Sequence, residues 1–272
     1  MVSRYASGTP RRRSILTAVA LSSAAVLTFE IALTRIFAIT QFYHFAFMTV
    51  SLALLGFGAS GSALAAFPSL GRGGPHRLAI LAFGQAIGTL GAYALSNTLP
   101  FDSFTIAWDT RQVVYLGLSY LALCVPFFFG GAVVGALLSS DPGDAHAPDR
   151  LASHHVYAAN LAGSGAGCVL ALGGLAWLGG IGVIAAASLM AMLAALAFER
   201  ASARASIPVE LASIGAMVVL AIWVFRPPDA LAMRLSPYKD LSAALRYPGA
   251  QIVSTRWNAS ARVDHVRSAG IR

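Results

Sequence analysis

Charge is scarce in this chain. Only 11% of its 272 residues are Asp, Glu, Lys or Arg, against about 25% in soluble domains. With 57% hydrophobic residues and a mean hydropathy of +0.70, this excludes an ordinary soluble globular protein and indicates a polytopic membrane protein. Lysine is almost missing: 18 arginines and one lysine, Lys239, make up the basic complement. Cysteine is equally sparse. Cys124 and Cys168 both fall in apolar runs, which argues against a disulfide framework and against a zinc site. The net charge of +8 would suggest nucleic acid in a soluble protein. Here the basic residues lie mostly in loops and tails, and no basic patch interleaved with aromatics occurs, so no nucleic-acid partner is expected.

What is there is organised around residues 29–61, FEIALTRIFAITQFYHFAFMTVSLALLGFGASG. Glu30 and Arg35 sit in or at the edge of one apolar run, a polar break follows from Gln41 to His44, and a second apolar run begins. A charge in hydrocarbon costs several kcal/mol, so such residues face a partner or a cavity. Glu30, Arg35, Gln41 and His44, with Asn160 further on, form a candidate intramembrane polar cluster. Two readings stay open: an ion pair locking the first helix to the second, or a functional polar site. A third is that Arg35 snorkels to an interface. Positions five apart diverge by about 140° on a helix, so each contacts another helix more readily than its sequence neighbour.

A spanning helix needs about 20 mostly apolar residues. Seven segments qualify or nearly so: 14–38, 44–66, 78–98, 113–138, 156–178, 181–198 and 209–225. The fifth and sixth are joined only by Gly179 and Gly180, which predicts a tight helical hairpin. Pro126 lies inside the fourth segment and predicts a kink; Pro68, Pro75, Pro100, Pro142 and Pro208 fall in connections. Nine basic residues lie in the polar arm 1–13 and alternate loops, against Arg111 alone in the other loops. The positive-inside rule therefore places the N-terminus in the cytoplasm. Seven spans send the tail outside although it too is basic, with Arg226, Arg234, Lys239 and Arg246; the short sixth span is the weakest of the seven. Trp108, Tyr115 and Trp177 suit interfacial anchoring.

Three segments carry G-x-x-x-G, as Gly84 with Gly88, Gly131 with Gly135, and Gly163 with Gly167. Small residues at this spacing let backbones approach closely in lipid. The bilayer is thus the expected partner, with self-association through the same faces a further possibility. Gly163-Ser164-Gly165-Ala166-Gly167 superficially matches a dinucleotide loop, but it lies within an apolar, membrane-length segment rather than after a strand. Helix packing is its reading, and no cofactor is expected. His146, His154 and His155 lie near Asp141, Asp144 and Asp149 with no closed ligand spacing, which reads as a solvated loop rather than a metal site.

From Leu235 the composition changes. Ser236-Pro237 suits a helix start, and Lys239 to Arg246 allows two turns. Residues 251–256 and 261–266 alternate apolar and polar around a turn, a β-hairpin signal. The expected organisation is an arm (1–13), an all-α bundle of about seven spans (14–226) and the truncated α+β start of a soluble domain (227–272). Asn258-Ala259-Ser260 matches a glycosylation sequon by pattern alone.

Several blocks carry a resemblance: Glu30-Ile31-Ala32-Leu33-Thr34-Arg35, Tyr43-His44-Phe45-Ala46-Phe47, Ser51-Leu52-Ala53-Leu54-Leu55-Gly56, Tyr157-Ala158-Ala159-Asn160-Leu161-Ala162-Gly163 and Ser236-Pro237-Tyr238-Lys239. Over essentially its whole length the chain resembles the membrane portion of bacterial multi-span spermidine-synthase-like proteins. The resemblance implies an inner-membrane domain that anchors or feeds a Rossmann-type aminopropyltransferase-like domain, of which residues 235–272 are the beginning. Asn160 departs from it, standing where an acidic residue is expected. The family's glycine-rich nucleotide loop and catalytic acids have no counterpart in these residues, so no catalytic residue is assigned and this chain alone is expected to be inactive. Two other functions fit the sequence: a transporter-like bundle using the Glu30/Arg35 cluster on a small solute, or a structural membrane scaffold.

Overall fold

The computed structural model describes residues 8–41, 43–139, 151–202 and 207–269, without the side chains of residues 8–10, 43, 44 and 207–209. Apolar runs broken by glycine and proline give six long helices: α1 (Gly8–Thr40), α2 (Tyr43–Ala66), α3 (Gly74–Thr98), α4 (Arg111–Leu138), α5 (Ser153–Arg200) and α6 (Ile207–Phe225). A short α7 (Asp240–Ala244) and an antiparallel hairpin of β1 (Gln251–Trp257) and β2 (Arg262–Arg267) complete the chain. The first five helices are long and apolar enough to cross a membrane, and Glu210–Phe225 is a shorter apolar helix.

The helix starting at Gly8 takes in half of the basic arm, so Arg11, Arg12 and Arg13 are helical rather than a detached lead. Helix α4 runs unbroken through Pro126. The turns expected over 239–246 shrink to the five residues of α7.

Helix α5 is interrupted at Gly179, whose φ of 67° and ψ of 177° lie outside the helical region. Glycine takes a positive φ at little cost, and the chain reverses there. The contacts of α1 trace the reversal. The Ser23 hydroxyl donates to Asn160 Oδ1 (2.8 Å) and the Thr28 hydroxyl to the Gly167 carbonyl (3.1 Å), so the arm 153–178 runs parallel to α1. The Ser14 hydroxyl donates to the Ala197 carbonyl (2.7 Å) and Arg11 Nε to the Ala201 carbonyl (2.9 Å), so the arm 180–200 returns alongside it.

These contacts define two ends. At the N-terminal end lie the start of α1, the end of α5 and the start of α3, where His76 Nδ1 is 2.9 Å from Glu199 Oε2. At the tail end lie Thr40, Asn97, the Gly179 bend and residues 231–239. Trp108 and Trp177, 82% and 90% exposed, both face outward near the tail end.

Glycines set the helix spacing. A methyl on Gly163 would fall on the backbone of Ala20, and one on Gly167 on that of Ala24. Gly84 and Gly88 meet Phe129 and Val125 of α4, while Gly131 and Gly135 meet Phe57, Ser60 and Leu64 of α2. Fully buried Phe29, Leu33, Leu123, Phe127, Leu175 and Ile184 fill the middle of the bundle. Val19, Val133, Val156 and Phe198 fill the N-terminal end.

Several buried polar groups are paired across helices. The Ser22 hydroxyl donates to Gln85 Oε1 (2.6 Å), and Gln85 Nε2 returns a bond to the Ser22 carbonyl (2.9 Å). The Ser188 hydroxyl donates to the Ala86 carbonyl (2.8 Å). With no water in hydrocarbon, such internal pairing is what keeps buried polar groups from costing stability. We expect Gly163→Ala to destabilise the protein by about 1–3 kcal/mol, the usual penalty for overpacking. Gly165→Ala, which enters open space, should change little; thermal unfolding of the two variants in the same detergent checks the contrast.

Candidate functional site: a polar cavity under the tail

Pro227 and Pro228 cannot extend α6, and the chain leaves it through a single 3-10 turn, Asp229–Leu231. Residues 232–239 then lie as a strap across the ends of α3 and α1. The Tyr93 hydroxyl donates to the Leu231 carbonyl (3.0 Å) and Asn97 Nδ2 to the Ala232 carbonyl (2.8 Å). Asn97 Oδ1 accepts from the Arg234 amide (3.1 Å), and Arg234 Nη1 donates to the Thr98 carbonyl (3.2 Å). On the α1 side the Ser236 amide donates to the Thr40 carbonyl (2.9 Å), and Lys239 Nζ to the Ala38 carbonyl (3.0 Å). Arg234, Ser236 and Lys239 thus occupy carbonyls that the ends of α3 and α1 leave without intrahelical partners. Burial holds the Lys239 ammonium below the usual lysine range, against an opposing pull from Asp240.

Two aromatic contacts extend the seat. Tyr238 packs on Phe104 with ring centres 4.1 Å apart. The Trp257 indole lies over Gly179 and Gly180 at the α5 bend, and Arg262 sits 5.9 Å from that ring's centre.

Beneath the strap, α1 to α4 line a partly open cavity of about 160 Å³. Its apolar wall includes Phe37, Phe45, Leu52, Phe101 and Leu123. Its polar lining includes Gln41, Ser96, Asn97, Ser119, Tyr120 and Arg234. No carboxylate lines it among the described residues. Tyr120 directs its hydroxyl at the Met48 sulfur. Ser119 is only 8% exposed, yet its hydroxyl has no hydrogen-bond partner among the described residues.

Among the described residues, the sequence-derived polar cluster is not brought together at one place. Glu30 and Arg35 are each half-buried on α1, and neither side chain makes an ion pair or hydrogen bond among the described residues. Asn160 is engaged by Ser23, seven residues from Glu30. Gln41 lines the cavity, about 16 Å along the axis from Glu30 at 1.5 Å per residue. The His44 side chain lies outside those described, as do Asp141, Asp144, His146 and Asp149; His154 and His155 stack with ring centres 4.1 Å apart.

Two groups escaped sequence reasoning. Gln85 lies in a run whose other residues explain it as a span, and only its mid-span position signals a partner. Glu199 ends the second arm of α5; its side chain is 6% exposed and Oε1 is buried without a hydrogen-bond partner. A glutamate in the last apolar turn of a span was its signal. No family model, curated protein or solved structure matches the chain.

Asn97→Ala removes two hydrogen bonds from the strap, each worth about 0.5–1.5 kcal/mol. Amide exchange over residues 231–236 should then accelerate about tenfold or more, while exchange over α1 is unchanged.

Proposed function

We propose that the chain is a membrane base: a seven-pass bundle with its N-terminal end in the cytoplasm, carrying a soluble segment seated on its opposite end. The observation that carries this reading is the strap. Six hydrogen bonds join residues 231–239 to α1 and α3, and Trp257 adds a contact at the α5 bend. A freely hanging tail has no need of such a seat. Seven passes follow if each arm of α5 and the short α6 cross the bilayer, which their alternating directions support. The cytoplasmic assignment is supported by Arg11, Arg12, Arg13, Arg72, Arg77 and Arg200 at the N-terminal end.

The resemblance to bacterial spermidine-synthase-like membrane proteins extends the proposal. The seated segment is the approach to an aminopropyltransferase-like domain, which would move an aminopropyl group from decarboxylated S-adenosylmethionine to a polyamine in the bacterial inner membrane. The bundle positions that domain and supplies no catalytic residue itself.

Sidedness tests the base. With alkaline phosphatase, active only outside the cytoplasm, fused after residue 272, an active fusion is expected. An inactive phosphatase fusion, with a cytoplasm-only reporter active at the same site, would overturn seven passes with a cytoplasmic N-terminus. The expected result also restricts aminopropyl transfer to substrates on the outer side and counts against synthesis from cytosolic pools.

A further inference from the structure

The cavity under the strap has features that the anchoring role leaves unused. Most polar lining groups are engaged: Asn97 holds the strap, Thr40 donates to the Ile36 carbonyl, and Tyr93 donates to Leu231. Three are not. The side chains of Gln41, Ser96 and Ser119 line the cavity and make no hydrogen bond among the described residues. Ser119 is the informative one, because the residue is only 8% exposed and its hydroxyl stands on the cavity wall without a partner among the described residues. It comes from α4, Ser96 from α3 and Gln41 from the end of α1, so three separate elements converge on one space.

The remaining lining sets the chemistry. Phe37, Phe45 and Phe101 offer flat apolar surface, and pockets of this kind take an apolar body oriented by a few polar groups. A volume of about 160 Å³ is close to the ~150 Å³ of an engineered cavity that holds benzene. Among the described residues no carboxylate is present to neutralise an ammonium, and the one ionic group in the lining is the Arg234 guanidinium. A polycation is therefore a poor occupant.

We propose that this cavity binds a small uncharged molecule with a ring-sized apolar body and one hydroxyl or amide group. The body lies against the phenylalanines and the polar group exchanges hydrogen bonds with Ser119, Ser96 and Gln41. The proposal depends neither on the sidedness of the tail nor on the kind of domain that follows it.

The test titrates 4-fluorobenzyl alcohol into the purified full chain in lipid nanodiscs, followed by fluorine NMR against empty nanodiscs. Partition into lipid is linear in concentration, whereas a site saturates. A saturable component is expected with the protein, and Ser119→Ala should weaken it about two- to tenfold, the loss of one hydrogen bond. Ser96→Phe, which fills the space from the opposite wall, should abolish it while thermal unfolding stays cooperative. 4-Fluorobenzylamine, charged at neutral pH, should bind at least tenfold more weakly than the alcohol. Linear partitioning alone in the unaltered protein would overturn the proposal. So would saturable binding unchanged in both variants, or an amine that binds as tightly as the alcohol.

Discussion

Ala20 and Ala24 of α1 rest directly on the glycine backbones of α5 at Gly163 and Gly167, and the bundle is arranged to permit that approach. In lipid the driving force for helix association is packing and interhelical hydrogen bonding rather than escape from water. Close backbone contact is what makes both available here. At the closer spacing the short hydroxyls of Ser23 and Thr28 reach across to Asn160 and to the Gly167 carbonyl. The bend at Gly179 then returns the second arm of α5 along the same helix, where Ser14 and Arg11 bond to its last carbonyls. Helix α1 is thereby held by both arms of one hairpin and, through Ser22 and Gln85, by α3.

That inner position of α1 organises the tail end. Its last turn presents the Ala38 and Thr40 carbonyls to Lys239 and Ser236, while α3, held in place by Gln85, presents Tyr93 and Asn97 to the same strap. The cavity is the space left where four helix ends diverge beneath residues 234–237. Ser119 stands on its wall without a hydrogen-bond partner among the described residues.

Local signals carried much of this organisation in the sequence. The glycine pairs at four-residue spacing are features of single helices, and their contacts need only a neighbour of any kind. Gly179-Gly180 between two apolar runs forces a reversal because too little chain remains for anything longer. The hairpin around Asn258 is likewise legible, since its period and turn residues are contiguous. What could not be read is pairing between distant positions. Nothing in the run around Gln85 names Ser22 as its partner, 63 residues away. Nothing near His76 points to Glu199, 123 residues away. The cavity draws its lining from four helices and the strap, so no linear motif marks it. Glu30, Arg35, Gln41, His44 and Asn160 were grouped because each is polar in an apolar setting, but polarity alone does not bring groups together. Asn160 found Ser23, Gln41 reached the helix end, and five residues of helix turn Glu30 and Arg35 about 140° apart.

The double contact of α1 with both arms of α5 is the central claim, and disulfide trapping tests it most directly. With Cys124 and Cys168 replaced by alanine, Ser23→Cys paired with Asn160→Cys should cross-link in membranes under mild oxidation. Ser14→Cys paired with Ala197→Cys should do the same. Cross-linking of both pairs within one chain is predicted. If the first pair links and the second does not, α5 does not fold back along α1, and the arrangement of the tail end falls with it.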